Sequence, residues 1–156
     1  MVVLLVLVVY AAVIAVQQAT FGSGEDNWVT WIPTVFAQVP GGGRITLLII
    51  VLAMGIIIPL VEEGYYRGLL QTSLAERYGV GFAIVITSAL WAFVHLGNYG
   101  LVPFNGKVIA GLLPSVFCMG IALGVARVAT GSVLGSAIAQ GGANLGLVAW
   151  AVLLNR

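Results

Sequence analysis

The chain of 156 residues is too apolar for a soluble domain, because 61% of its residues are hydrophobic and 7% are charged, against roughly 25% charged residues in soluble domains. The charges are scattered and sum to a formal net charge of +1, a pattern that excludes a basic patch for nucleic acid and an acidic tail for a charged partner. Since a transmembrane helix needs about 20 mostly apolar residues, the composition predicts an all-α polytopic integral membrane protein. We expect one membrane domain over residues 1–156, a helix bundle with about five transmembrane helices.

Runs without charged residues place the five spans in chain order. The first run resembles the core of a signal peptide, but it lacks a basic n-region, and we interpret it as a retained span. A loop is predicted over residues 19–44, where Trp28, Trp31 and Phe36 are expected at the headgroup level, as interfacial aromatic residues are. The predicted spans are residues 1–16, 45–61, 81–95, 108–126 and 132–154.

Polar residues inside or beside these runs are the most informative, because a charge at membrane depth costs about 2.5–3.5 kcal/mol on the insertion scale. Glu62 and Glu63 directly follow the second run, and Arg67 lies four residues after Glu63. On a helix, residues i and i+4 face each other, so Arg67 is predicted to neutralise Glu63 and to leave Glu62 free to face a cavity. The alternative is a helix end that emerges into water with an ordinary surface ion pair.

His95, the only histidine, ends the third run, and Gln140 and Asn144 lie four residues apart on one face of the fifth. Taken separately, these residues have ordinary explanations: a packed or interfacial histidine, and amides that bond to a neighbouring helix. Together with Glu62, they place a carboxylate, an imidazole and two amides on three helices that can converge in the bundle core. A general base, a proton partner and oxyanion donors are the groups that water-mediated acyl hydrolysis requires.

The same residues resemble the motifs of the CPBP family of intramembrane proteases, which comprises CAAX prenyl endopeptidases and bacteriocin-processing or self-immunity (Abi) proteins. Residues 62–67, which read Glu-Glu-x-x-x-Arg, look like the family's EExxxR motif. Residues 91–95 resemble its FxxxH motif, with tryptophan in place of phenylalanine, and residues 140–144, Gln-x-x-x-Asn, align with HxxxN. The resemblance covers about residues 55–150, and the motifs occur in the family's order and spacing.

The resemblance implies a peptidase that acts in a lipid bilayer, which we expect to be a prokaryotic inner (plasma) membrane. Its expected partner is a membrane-embedded or membrane-anchored peptide substrate, or a partner membrane protein. No nucleic-acid partner is expected. The six candidate site residues are Glu62 as general base acting on water, His95 as its proton partner, Gln140 and Asn144 as oxyanion donors, and Glu63 and Arg67 as the pair that fixes the helix geometry.

Gln140 departs from the family motif, which has a histidine at that position. Zn²⁺ prefers cysteine, histidine and carboxylate ligands, and one histidine with a neutral amide is a poor set, so neither a metal nor another cofactor is expected. In a metal-free mechanism the amide still offers a donor, and loss of one oxyanion donor costs roughly 10²–10³ in rate. The sequence therefore leaves two alternatives: a peptidase, or a catalytically silent membrane scaffold, immunity protein or complex subunit. A small transporter or channel subunit has too few charges to be favoured.

Overall fold

A computed structural model of the protein describes residues 2–37 and 43–154. The regular elements of these residues are helices and none is a strand, which confirms the all-α membrane bundle predicted from composition. A 3₁₀ turn, Trp28–Trp31, leads into the second helix, and another, His95–Gly97, extends the fourth. In chain order the helices are α1 (Val2–Phe21), α2 (Ile32–Ala37), α3 (Gly43–Tyr78), α4 (Val80–Val94), α5 (Gly106–Thr130) and α6 (Val133–Leu154).

Four helices in the described part of the chain are long and apolar enough to cross a membrane: α1, α3, α4 with its 3₁₀ turn, and α5. They correspond to the first four predicted spans. The fifth predicted span, residues 132–154, forms the 22-residue helix α6, which is not among those four. The Gln140 and Asn144 side chains in its middle are buried within the bundle.

The region between the first two spans differs from the predicted loop. Helix α1 continues to Phe21 rather than ending at residue 16. Part of the following segment is helical, because the side chain of Asn27 accepts a hydrogen bond from the Val29 N–H and caps the first 3₁₀ turn. Residues 38–42 of the predicted loop, and the predicted interfacial position of the Phe36 side chain, lie outside what the structure describes.

The 36-residue helix α3 contains two π-turns, Ala53–Ile57 and Gly64–Leu70. Between them lies one α-helical segment, Ile58–Glu63, whose second residue is Pro59. Proline has no N–H to donate and crowds the carbonyl four residues before it. The first π-turn, which is wider than an α-helical turn, lies immediately before the segment that contains Pro59. Because π-turns are rare and occur frequently at functional sites, the segment between the two is where a functional side chain is to be sought.

Helix α5 is central to the bundle, because it packs against α1, α4 and α6. Its approach to α4 is close at two glycines. A Cβ at Gly120 would lie 2.9 Å from the Cβ of Ser88, and a Cβ at Gly124 would lie 2.9 Å from a side-chain carbon of Ile84. Small residues that let two backbones approach are the usual means of helix association in lipid, so these glycines fix the spacing of α4 and α5.

Helix α3 meets α6 through two further glycines. A Cβ on Gly141 of α6 would collide with the carbonyl oxygen of Gly55 in the first π-turn of α3. Elsewhere α3 exposes apolar side chains, among them Leu47, Leu48 and Val61. A surface of this kind is stable against lipid, so α3 lies at the edge of the bundle with one face on α6 and the other toward the bilayer.

Candidate active site

A cavity of about 130 Å³ lies inside the bundle and is lined by residues of all six helices and of the loop after α4. Four of the predicted site residues line it: Glu62 from α3, His95 at the end of α4, and Gln140 and Asn144 from α6. The convergence predicted from three separate helices is therefore present in the fold. It arises because α3, α4 and α6 all border the same cavity.

Glu62 is half-buried, and its two carboxylate oxygens differ in their surroundings. Oε2 accepts hydrogen bonds from Trp91 Nε1 at 3.1 Å and from Gln140 Nε2 at 2.6 Å. No hydrogen-bond partner of Oε1 is found among the described residues. Two donors on one oxygen hold the carboxylate in place and leave the other oxygen to accept a proton.

The two amides of α6 both donate hydrogen bonds to groups on α3. Since a carboxylate only accepts hydrogen bonds, the group of Gln140 that meets Glu62 is its NH₂, and this donor is directed at the carboxylate. Asn144 Nδ2 donates to the carbonyl oxygen of Met54 in the first π-turn, at 3.2 Å. Each amide therefore already donates one hydrogen bond within the bundle, and each has one N–H left for another acceptor.

His95 begins the 3₁₀ turn that extends α4, and its ring packs edge-on against Trp91 with centroids 4.8 Å apart. Its Nδ1 lies 2.7 Å from the carbonyl oxygen of Trp91. A carbonyl oxygen only accepts, so Nδ1 carries the hydrogen of this bond, and Nε2 is the ring nitrogen that remains available. The half-buried imidazole is thus held in one tautomer by its own helix.

Glu63 and Arg67 form the ion pair predicted from their i,i+4 spacing. Arg67 Nη1 lies 2.8 Å from Glu63 Oε1, and both side chains are 0% exposed, so the alternative of a surface pair at a helix end is wrong. Arg67 also donates through Nη2 to the carbonyl oxygen of Gly120 at 3.0 Å, and its guanidinium lies 4.9 Å from the ring centroid of Trp91. The pair does not line the cavity, and it ties α3 to α5 and to the tryptophan that holds Glu62.

Four aromatic residues of the cavity wall were not predicted as site residues. Tyr10 and Trp28 are each 3% exposed, Trp91 is buried, and Tyr99 is half-buried. The structure packs Trp28 against Tyr99, with ring centroids 5.8 Å apart, and its position at the headgroup level stays a prediction. One sequence signal did point to Tyr10, which is the only polar side chain among residues 2–16.

Tyr99 lies in the loop after α4 and lines the cavity. Burial raises the pKa of Tyr99 to about 12, because desolvation disfavours the phenolate.

Asp26, at the surface, accepts a hydrogen bond from Lys107 at 2.8 Å and another from Asn105 at 3.2 Å. The hydrogen bond from Lys107 is the main reason that the pKa of Asp26 is lowered. These contacts join the segment before Trp28 to the start of α5.

The residues at the cavity do not fit a zinc ion. Glu62 and His95 are the only side chains there of the types that Zn²⁺ favours, and Gln140 and Asn144 add neutral amides. Across the described residues, no group of three or more histidine, cysteine, aspartate or glutamate side chains could hold a metal ion. Three or four such ligands are the minimum for a zinc site, so we derive no step through a metal.

Comparison with known proteins identifies the family. The family model described as type II CAAX prenyl endopeptidase Rce1-like matches residues 44–146, well over half of the chain. No curated protein and no solved structure matches the chain. The matched region contains all six predicted site residues and excludes α1 and the segment that carries Trp28. The chain therefore belongs to the Rce1-like family of type II CAAX prenyl endopeptidases.

Proposed function

We propose that this integral membrane protein is a metal-independent peptidase that hydrolyses a membrane-embedded or membrane-anchored peptide in a prokaryotic inner membrane. The observation that carries the proposal is that a carboxylate and an imidazole, each with one atom left to take part in proton transfer, line the same cavity. Glu62 has one oxygen held by two donors and the other without a partner among the described residues, and His95 has Nε2 uncommitted. Membership of an endopeptidase family supports the reaction class.

In the proposed reaction Glu62 is the general base. A water molecule in the cavity gives one proton to Glu62 Oε1 while its oxygen bonds to the carbonyl carbon of the peptide. The C–N bond then breaks as the leaving nitrogen takes up that proton, delivered from Glu62 directly or through His95 Nε2. One water is consumed, and one carboxylic acid and one amine are formed. Positioned acid–base groups of this kind contribute about 10²–10⁴ in rate.

Gln140 and Asn144 have supporting roles in this proposal. The 2.6 Å hydrogen bond makes Gln140 a positioning residue for Glu62, in addition to any contact of its second N–H with the oxyanion. Asn144, anchored on Met54, offers its second N–H to the oxyanion. The buried pair of Glu63 and Arg67 keeps α3 in the register that presents Glu62 to the cavity.

A catalytically silent membrane scaffold, immunity protein or complex subunit is the second candidate. It is favoured by the same two hydrogen bonds, because the donors of Gln140 and Asn144 are engaged with groups of the bundle itself. Amides that bond across helices in this way contribute about 0.6–2 kcal/mol to helix association. On this alternative the polar cluster stabilises the bundle and cleaves nothing.

Cleavage by the purified full chain decides between the two. One probe is a quenched fluorescent peptide ending in a prenylated cysteine and three further residues, the type named by the family. The second is a quenched peptide with one hydrophobic transmembrane segment. We expect cleavage of at least one probe that is lost in Glu62→Gln, retained in the matched control Glu76→Gln on an exposed part of α3, and unaffected by chelators. No cleavage, or cleavage indifferent to Glu62, rejects the peptidase and leaves the scaffold.

A further inference from the structure

Tyr10 is an unusual residue for its place in the chain. It lies in α1, where every other residue from 2 to 16 is aliphatic. Its side chain is 3% exposed, and its hydroxyl is buried with no hydrogen-bond partner among the described residues. It also lines the cavity that holds Glu62 and His95. A buried hydroxyl without a partner is unfavourable, so an acceptor that came within reach of this group would stabilise it.

The position of Tyr10 relative to α6 places it beside the reacting groups. Besides the active-site cavity, Tyr10 borders a second, apolar cavity of about 220 Å³, which it shares with Ala143 and Leu147 of α6. Leu147 lines both cavities, and Ala143 is the neighbour of Asn144 in the chain. The tyrosine therefore sits against the stretch of α6 that carries the two amides.

The three other donors that face the reacting groups each make at least one hydrogen bond within the bundle. Trp91 and Gln140 both donate to Glu62, and Asn144 donates to Met54. The indole nitrogen of Trp28 is also buried and unpartnered in the described structure. The ring of Trp28 packs on Tyr99 in the loop after α4, and its 3₁₀ turn also contacts α6. Tyr10 is thus a donor at the cavity that lies against α6 and has no hydrogen-bond partner among the described residues.

We propose that the Tyr10 hydroxyl donates a hydrogen bond to the carbonyl oxygen of the scissile peptide and stabilises the oxyanion formed on it. This inference rests on the proposed peptidase function and adds a catalytic residue to it. It also gives α1 a role in the chemistry, although α1 lies outside the region matched by the family model. A neutral phenol that donates to a developing oxyanion needs no proton transfer of its own, so the reaction balance given above is unchanged.

Tyr10→Phe tests the inference, since it removes the hydroxyl and keeps the ring. With the probe peptide whose cleavage depends on Glu62, we expect kcat to fall by about 10²–10³, as for other single oxyanion donors, while KM changes little. The melting temperature should be unchanged or raised, because the lost hydroxyl has no partner among the described residues. Tyr78→Phe, which removes a hydroxyl from an exposed tyrosine outside the cavity, is the matched control and should retain full kcat.

The outcomes separate this inference from the proposed function. Loss of activity in Glu62→Gln together with an unchanged kcat in Tyr10→Phe overturns the role of Tyr10 and leaves the peptidase intact. A fall in kcat that is matched by a large fall in melting temperature overturns it as well, because it indicates a packing role. Cleavage that does not depend on Glu62 overturns the proposed function, and the oxyanion role of Tyr10 with it.

Discussion

Removal of Arg67 should destabilise the bundle strongly, and the geometry of its contacts sets the magnitude. Arg67→Ala leaves the Glu63 carboxylate buried without its partner at 2.8 Å and removes the hydrogen bond to the Gly120 carbonyl and the contact with the Trp91 ring. Breaking a fully buried ion pair from one side costs about 3–5 kcal/mol. Because both side chains are 0% exposed, we expect a loss in that range for the free energy of unfolding.

A double variant without either charge separates the pair from the rest of the site. Glu63→Gln/Arg67→Met removes both charges at similar volume and should recover most of the loss, since replacing a buried pair by neutral groups is often tolerated. Unfolding of the detergent-solubilised chain, followed by tryptophan fluorescence, measures both variants against the parent chain. Arg67→Ala within about 0.5 kcal/mol of the parent chain, the range of ordinary surface substitutions, would refute the reasoning.

The protein also offers a control for the effect of burial. Lys107 and Asp26 form an ion pair with the same 2.8 Å separation, but their side chains are 69% and 39% exposed. Surface pairs contribute little because water and salt screen them. Lys107→Ala should therefore leave the unfolding transition almost unchanged. A loss as large as that of Arg67→Ala would mean that distance rather than burial sets the energetics.

Three further outcomes are expected. Gln140→Ala should lower the Glu62-dependent kcat by about 10- to 100-fold, because a hydrogen bond to a charged group contributes about 1.5–3 kcal/mol, while Gln140→His keeps an N–H donor and should lose less; equal kcat in both variants would contradict the positioning role. Gly141→Leu should lower the melting temperature, since any Cβ there meets the Gly55 carbonyl, and an unchanged melting temperature would show that α3 and α6 are not in close contact. The pKa of Asp26 lies below its ordinary value of 3.8, so its stabilising contribution is present above that value and is lost as pH falls through the lower folded pKa; Asp26→Asn should remove that part of the acid dependence measured in a pH series of melting curves.

The sequence by itself determined the features that depend on composition and on local helix geometry. An apolar chain in lipid must satisfy its backbone internally, so the helical class followed from hydropathy. The pairing of Glu63 with Arg67 followed from a spacing of four residues on one helix, because such neighbours meet wherever the helix is placed. The same spacing left Glu62 without an ionic partner, and the structure leaves one of its oxygens without a hydrogen bond among the described residues.

The tertiary structure decided which groups meet across helices. Gln140 and Glu62 are 78 positions apart, and Tyr10 and Glu62 belong to helices that no local pattern relates. The contact of Gln140 with Glu62 and the place of Tyr10 at the same cavity depend on the angles and offsets of the packed helices. Glycine contacts such as that between Gly55 and Gly141 and the two π-turns in α3 set this packing. Periodicity does not reveal a π-turn, because the turn alters the period itself. For that reason the hydrogen bond from Gln140 to the carboxylate of Glu62 could not be predicted from the sequence.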